Sequence, residues 1–421
     1  MSDDDARAFP PAQPRGPAVS IDFEGQPVRA FAGEPVAVAL FAAGVRTLGR
    51  SPKYHRPRGL FCLEGHCASC FLRIDGQPNR RSCQVPARDG LRCERQNAFP
   101  DADVDLLRAA DWLFPDGMDH HRMMTGSRVG NELFLKLVRE MGGSGLLPDA
   151  PAETLPPVRD LTVDLCIVGA GPAGLSAAAS AAGEGRRVIV VDEQDLPGGS
   201  LLAEPDGVER GRALAEAARG RGAELWPRST AIAFYPEDGP GVLAVVRPEG
   251  LVRVTARRYL YATGAYDQNL PFPDGDRPGV LSARACGRLV FRYGVRPGRR
   301  VVLISDPQAP SPFAGTLAEG LSRLGIAVMP AALDALPRLD LKHDLAAVAA
   351  LPAPASELPR QHGARVRLAQ DQGGFAVEID ATFATSAAGV SAVGDVTGYQ
   401  GPALAAERGV AAGQAIVRTV K

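Results

Sequence analysis

Short runs of alternating hydrophobic and polar residues fill most of the first hundred positions. Five of these runs have the composition of strands, and they are VSIDFEG, VRAFA, FLRID, RRSCQVP and LRCERQ. A sixth run, PVAVALFAAG (35–44), is continuous and apolar, and it predicts a short helix lying across a small sheet. Strands curled around one helix predict a β-grasp, ferredoxin-like domain over residues 18–100.

From Thr162 onward the pattern changes to buried strands separated by helical stretches. The strand VDLCIV, an Ala-rich stretch and the strand VIVV together predict a β-α-β unit. A connector over residues 101–160 precedes it, with a helix expected at 131–143. Residues 1–17 are rich in Pro and Asp and predict a disordered leader. The chain therefore combines α+β and α/β folds, and the second domain covers residues 161–421.

Composition restricts the class of protein. The 421 residues include 47 Lys and Arg and 48 Asp and Glu, and this balance argues against broad capture of nucleic acid. The N-terminus lacks the apolar core of a secretory signal. The uncharged stretch between Asp164 and Glu184 is interrupted by glycines and Pro172, so we read it as strand, turn and helix rather than a transmembrane segment. These features predict a cytoplasmic protein.

Four of the seven cysteines carry the strongest local signal. Cys62-x4-Cys67-x2-Cys70 has the spacing of plant-type [2Fe–2S] domains, and Cys83 follows after twelve residues on a predicted hairpin. Three thiolates on one tight loop can wrap a cluster, and a fourth closes the second iron. Cys93 is the alternative fourth ligand. A zinc site and unrelated cysteines are the alternative interpretations, although zinc usually takes paired C-x2-C knuckles and only one such pair is present here.

A glycine-rich loop follows the strand VDLCIV and opens a helix, the context in which a GxGxxG pattern indicates a dinucleotide site. The loop residues are Gly169, Gly171, Pro172, Ala173 and Gly174. Glycines there let the backbone approach a pyrophosphate at the helix N-terminus. The carboxylate of Asp192, or of Glu193 if the register differs by one, is expected to hydrogen-bond a ribose diol. The same carboxylate would repel the 2′-phosphate of NADP.

Later motifs favour FAD as the dinucleotide, with NAD in the same pocket as the alternative. Three residue pairs follow predicted strands, namely Gly198 and Gly199, Thr263 and Gly264, and Gly394 and Asp395. A final helix has Pro402 in its first turn, where a missing N–H costs nothing. The arrangement resembles flavoproteins with two dinucleotide domains. That resemblance implies that Asp395 contacts the ribityl–pyrophosphate region and that the helix N-terminus faces the isoalloxazine.

The insert between these motifs, at about residues 275–355, predicts a shortened and degenerate second nucleotide-binding unit. It begins as strand, loop, helix and strand, but the loop at 305–311 has no glycine. Asp306 would also place a negative charge where a pyrophosphate should sit. Too few residues follow Pro330 for the usual remaining strands. We therefore expect that the insert does not bind NAD(P)H.

Three segments resemble a known family. SPKYHRPRG (51–59), SRVGNELFLKLVREMGGSGLLPD and FPDGDRPGV (272–280) are similar to the alpha subunit of heterotetrameric sarcosine oxidase and its relatives. These relatives include hydrogen cyanide synthase, opine oxidases and dye-linked proline or hydroxyproline dehydrogenases. The resemblance covers roughly residues 18–421 and implies a fused [2Fe–2S] and FAD subunit. It also implies a glycine-oxidase-like flavoprotein beta subunit and leaves open small additional subunits, an FMN at a subunit interface and a peripheral position at the inner membrane face.

The function expected from these observations is electron transfer within a multi-subunit amine or amino-acid dehydrogenase or oxidase. The partner would oxidise sarcosine, proline, hydroxyproline, an opine or a glycine-type substrate, and electrons would reach the FAD and cluster of this chain. The alternatives are a stand-alone NAD(P)H-dependent ferredoxin-type reductase and a non-redox scaffold with a structural nucleotide. The sequence assigns no catalytic residue.

Overall fold

A five-stranded sheet covered by one helix forms the N-terminal domain. The computed structural model describes residues 6–52, 54–109, 112, 126–141, 157–236, 241–341 and 343–419. The elements of this domain are β1 Ala18–Phe23, β2 Gln26–Phe31, α1 Val36–Ala42, β3 Gly49–Arg50, β4 Pro57–Arg58, β5 Phe71–Ile74, β6 Gln77–Arg81 and β7 Arg92–Glu94. The sheet order is β2-β1-β7-β5-β6, and every residue of α1 is buried. The predicted β-grasp architecture is therefore confirmed.

Residues 6–17 lie along both domains, which differs from the disordered leader that the sequence predicted. The N–H of Ala6 donates to the Ala42 carbonyl, and the N–H of Phe9 donates to the Gly294 carbonyl, each at 3.0 Å. Arg7 forms a buried ion pair with Glu34. The expectation failed because these partners lie far away in the sequence, where composition cannot reveal them.

After the connector, the chain enters a mostly parallel sheet through a β-α-β unit. The helix α2 Arg128–Met141 lies at the position expected within the connector. The following elements are β8 Val158–Val168, α3 Pro172–Ala181, β9 Val188–Val191, α4 Gly207–Gly220, β10 Glu224–Trp226, β11 Thr230–Tyr235, β12 Val242–Arg247, β13 Gly250–Tyr261 and β14 Ala265–Tyr266. Strands β8, β9 and β10 pair in parallel, as a Rossmann-type unit requires.

The insert forms its own parallel sheet. Its elements are β15 Val280–Ser282, α5 Ala283–Gly287, a π-helical turn Arg288–Arg292, β16 Arg300–Ser305, α6 Phe313–Arg323, β17 Ala327–Ala332 and β18 Leu345–Ala349. The strand order is β15-β18-β16-β17. In the described residues a helix joins β16 to β17, and none joins β17 to β18. The insert is therefore a shortened nucleotide-binding unit that still keeps four strands.

The last segment returns to the main sheet and completes it. Its elements are β19 Ala353–Pro354, α7 Glu357–Gln361, β20 Val366–Ala369, β21 Gly374–Val377, β22 Val390–Ala392 and α8 Pro402–Thr419. β22 pairs in parallel with β13, so the strand before Gly394 belongs to the main sheet. α8 packs closely on α3 at Gly409. A Cβ at this position would lie 2.3 Å from the Ala173 carbonyl oxygen, so the close packing requires glycine. No helix in the described parts of the chain has the length and apolar character needed to cross a membrane.

Candidate cluster and dinucleotide sites

A tight loop between β4 and β5 gathers the first three of the predicted cluster cysteines. Leu63, Gly65 and Ala68 adopt positive φ angles of 52°, 89° and 57°. Such angles are costly for residues other than glycine, and they are typical of functional loops. An Arg81 guanidinium nitrogen donates to the Gly65 carbonyl at 2.6 Å and ties the loop to β6. The local sequence thus bends the chain so that the thiols face one another.

The four predicted ligands lie together in the structure. Hydrogen bonds between thiols join Cys62 to Cys67 and to Cys83, and Cys70 to Cys83. Bonds from Cys67 and Cys83 hold the pKa of the Cys62 thiol well below its usual range. Cys93 lies fully buried within β7, where burial raises the pKa of its thiol to about 12. The structure therefore groups the expected four thiols, and the thiol of Cys93 on β7 is influenced by the carboxylates of Asp75, Asp22 and Glu94 instead.

The chemistry of this group of four thiols fits a two-iron cluster. A [2Fe–2S] cluster takes four thiolates over two irons and so needs pairs of thiols. The backbone N–H of Glu64 also donates to the Cys62 sulfur at 3.4 Å. Such bonds stabilise thiolates and tune the potential of a cluster.

A cavity of about 580 Å³ lies at the carboxyl ends of β8, β9, β13 and β22. Eleven of the thirteen predicted dinucleotide residues line it, and they are Gly169, Gly171, Pro172, Ala173, Asp192, Glu193, Gly199, Thr263, Gly264, Gly394 and Asp395. The other two, Gly174 and Gly198, lie behind this wall. A Cβ at Gly174 would approach the Gly169 carbonyl oxygen to 1.9 Å, so this glycine lets the helix begin directly against the loop.

The glycine loop provides a cradle of the kind that a pyrophosphate needs. Gly169 has a φ of 110°, and a Cβ there would approach the Ala262 carbonyl oxygen to 2.2 Å. A Cβ at Gly171 would find no atom nearer than 4.0 Å, so this residue keeps the cavity wall open. α3 begins directly after it at Pro172 and directs its first N–H groups toward the cavity end of the sheet. The residues present therefore fit a bound dinucleotide.

The two candidate ribose carboxylates have different surroundings. Asp192 accepts hydrogen bonds from the N–H groups of Ala170 and Gln194, at 2.5 and 2.8 Å, and burial raises its pKa to about 6. Glu193 lies further out, where its Oε1 is 2.7 Å from Nε2 of His66. Asp192 thus holds the glycine loop in shape, and Glu193 presents its carboxylate to the cavity.

The cluster loop itself forms part of the cavity wall, which the sequence did not predict. Glu64 and His66 lie between Cys62 and Cys67, and both line the cavity. The His66 ring also packs edge-to-face on Tyr266 at 4.7 Å. Burial lowers the pKa of His66, but the nearby carboxylates of Glu193 and Glu64 more than offset it and leave the pKa raised. In the sequence, only the C-x4-C spacing drew attention to the segment that contains Glu64 and His66. That spacing does not predict a contact between this segment and the dinucleotide cavity.

The C-terminal part of the cavity is built by Asp395 and the start of α8. Asp395 is buried, and its Oδ1 accepts from the N–H groups of Gln400 and Gly401, at 2.9 and 3.2 Å. Burial raises its pKa. Ala405 in the first turn of α8 lines the cavity. Both features therefore face the same cavity as the glycine loop.

The side chain of Asp306 forms a hydrogen bond within the 305–311 loop of the insert. The Asp306 Oδ1 accepts from the N–H of Gln308 at 2.9 Å. In a nucleotide-binding loop an N–H of this kind would be available to a phosphate. The interaction makes the loop a self-capped turn with a negative charge at its start.

Two protein families match this arrangement and define its class. Residues 16–98 match the family described as 2Fe-2S iron-sulfur cluster binding domain. Residues 164–228 match the family described as FAD dependent oxidoreductase. The chain thus joins a domain of the [2Fe–2S] type to a domain of the FAD type, and both predicted cofactors are supported.

Individual relatives make the comparison more specific. The sarcosine oxidase subunit alpha of Rhizobium meliloti (strain 1021) is 32% identical over 344 residues, which cover 75% of this chain and 34% of that protein. The hydrogen cyanide synthase subunit HcnA of Pseudomonas aeruginosa is 43% identical over 79 residues, which cover 19% of this chain and 75% of that protein. Over three quarters of its length, the chain is therefore a homologue of sarcosine oxidase alpha subunits, and it spans about a third of the length of the subunit from R. meliloti.

A solved structure supports the same fold. The L-proline dehydrogenase from P. horikoshii superposes with a TM-score of 0.72 at 19% identity, covering 98% of this chain and 76% of that chain. The agreement extends over almost the whole chain and supports the predicted fold class.

Proposed function

We propose that this chain is the electron-transfer flavin and iron–sulfur subunit of a multi-subunit amine or amino-acid dehydrogenase or oxidase. The observation that carries the proposal is the contact between the two sites: Glu64 and His66 of the cluster loop line the dinucleotide cavity. A cluster and a flavin bound at these adjoining sites would exchange electrons within one chain. Homology to sarcosine oxidase alpha subunits supports an oxidoreductase that acts on CH–NH donors.

In this proposal Cys62, Cys67, Cys70 and Cys83 would hold the [2Fe–2S] cluster, which would supply one-electron transfer there. FAD, when bound, joins two-electron chemistry to one-electron carriers. The chain's own residues position it: the glycine loop and the start of α3 hold the pyrophosphate. Glu193, whose carboxylate lies further out on the cavity wall than that of the loop-holding Asp192, would accept the ribose hydroxyls.

The substrate would be oxidised on a partner, a flavoprotein resembling glycine oxidase. Sarcosine, proline, hydroxyproline, opines and glycine-type compounds are the candidate substrates. An FMN at the subunit interface, small additional subunits and a cytoplasmic complex bound peripherally at the inner membrane face belong to the same proposal. The relatives that support it are named as subunits, which favours a partner over a complete enzyme.

The chain alone should show no turnover with these amines and should acquire it when a second flavoprotein subunit is added. The large cavity is lined by the dinucleotide motifs, and the second cavity described, about 160 Å³, is smaller than ordinary substrate pockets of about 300–1,000 Å³. The measurement is reduction of a dye by the cofactor-loaded chain with each amine, with and without the partner. A rate near or above about 1 s⁻¹ for the chain alone would contradict the proposal.

Neither NADH nor NADPH should reduce the bound flavin rapidly. Asp306 occupies the N–H of Gln308 and adds a negative charge where the phosphates of a nicotinamide nucleotide would lie. Stopped-flow absorbance of the flavin band, with dithionite reduction as the positive control, measures this directly. Fast bleaching by either nucleotide would instead favour the stand-alone reductase.

A further inference from the structure

Buried ion pairs connect the cluster loop to the wall of the dinucleotide cavity. The Arg288 side chain is 2% exposed, and one guanidinium nitrogen lies 2.6 Å from Oε1 of Glu64. Its other terminal nitrogen lies 3.5 Å from Oδ2 of Asp267. Asp267, 4% exposed, also pairs with Arg284, which lines the cavity. Two cations and two carboxylates therefore form one network between the two sites.

Burying such a network lowers the stability of the folded protein through the desolvation of its charges. Removing charges from water costs several kcal/mol per ion, and well-packed apolar residues often serve stability equally well. Burial raises the pKa of Glu64, and the Arg288 guanidinium opposes that rise. Burial would also raise the pKa of Asp267, but Arg284 and Arg288 leave it lowered. The two guanidinium groups thus favour the charged form of Asp267 and oppose the protonation of Glu64, at the boundary between two candidate redox sites.

The Arg288 side chain also binds the backbone of the cluster loop. The guanidinium Nη1 donates to the carbonyl oxygen of Cys62 at 3.2 Å. The amide of Gln194 donates to the Glu64 carbonyl at 3.1 Å, and the N–H of Ser282 donates to the Phe61 carbonyl at 3.0 Å. Residues of the second domain therefore hold the segment around Cys62, the first cluster ligand. The guanidinium group of Arg288 places a positive charge next to the Cys62 carbonyl.

We propose that Arg288 is a positioning residue for the iron–sulfur cluster, which fixes the Cys62–Glu64 segment and raises the reduction potential of the cluster. When the cluster accepts one electron, its total charge becomes more negative by one. A buried cation nearby stabilises that state, and the paired carboxylate of Glu64 moderates the effect. The inference rests on the cluster proposed above.

The test is an EPR-monitored redox titration of the purified full chain with dithionite as the reductant. Arg288→Met removes the cation and should lower the equilibrium constant for one-electron reduction about tenfold or more, which is about 59 mV in potential. Glu64→Gln removes the opposing charge and should raise the potential. Arg292→Met is the matched control, because Arg292 is a buried arginine of the same π-helical turn that pairs with Asp195 at 2.7 Å.

Opposite shifts in Arg288→Met and Glu64→Gln, each larger than that of Arg292→Met, would support the inference. Shifts in the same direction, or an unchanged potential in Arg288→Met, would overturn it. If Arg288→Met loses the cluster, Glu64→Gln decides alone: a raised potential supports the inference and an unchanged one rejects it. A wild-type chain without a cluster signal would instead contradict the proposed cofactor.

Discussion

Serine in place of any one of the four clustered cysteines should abolish the EPR signal of the reduced cluster. These residues are Cys62, Cys67, Cys70 and Cys83, and the structure brings their thiols into mutual contact. A serine hydroxyl is a poorer iron ligand than a thiolate, so the loss of one ligand leaves an iron incompletely held. Iron and acid-labile sulfide should each fall from about two per chain in the native protein toward zero.

Cys93→Ser provides the matched control for that experiment. Cys93 is buried in β7 and should affect packing but not the cluster, so its variant should keep the signal and the iron content. Loss of the signal in Cys93→Ser together with its retention in Cys83→Ser would show that the fourth ligand was assigned wrongly. Metal analysis that finds one zinc and no sulfide would favour the zinc alternative.

The cluster site could be predicted because its determinants are local. Three ligands lie within nine residues, and the fourth follows on the next hairpin, so spacing and turn residues contain most of the information. The dinucleotide loop is similar, since Gly169 and Gly174 act within one strand-turn-helix unit. Residues of this unit line the cavity for this reason, whereas Gly394 and Asp395 reach it because β22 pairs with β13.

The contact between the two sites could not be predicted in this way. Glu64 meets Arg288, more than two hundred positions later, and His66 meets Glu193. Neither pair has a periodic or spacing signal, because each depends on how two domains pack. The same reason explains residues 6–17, whose Phe9 bonds to Gly294 although its composition suggests disorder. Domain packing is the step that sequence patterns leave undetermined.

This packing also explains why one chain could carry both cofactors. The loop that holds the first two cysteines is stabilised from the flavin side by Gln194 and Ser282 as well as by Arg288. A separate ferredoxin-like subunit would have to reform these contacts at each encounter. In a single chain they are already formed, and this fixes the distance over which electrons would pass.

Gly174→Ala should release the bound flavin and lower the free energy of unfolding by about 1–3 kcal/mol, the usual cost of overpacking. The new Cβ would lie 1.9 Å from the Gly169 carbonyl oxygen, so the glycine loop and the start of α3 must separate. Flavin absorbance after gel filtration measures binding, and urea unfolding of the flavin-free protein measures stability.

Gly220→Ala is the control for that variant, because Gly220 ends α4 and a Cβ there meets no atom within 4 Å. Alanine at this helical position should be neutral or stabilising by up to about 1 kcal/mol and should leave the flavin in place. A Gly174→Ala protein that retains full flavin and native stability would mean that the loop does not approach the helix as the structure describes. Release of flavin from both variants would mean that binding is sensitive to any change in this domain, and the glycine loop would lose its special role.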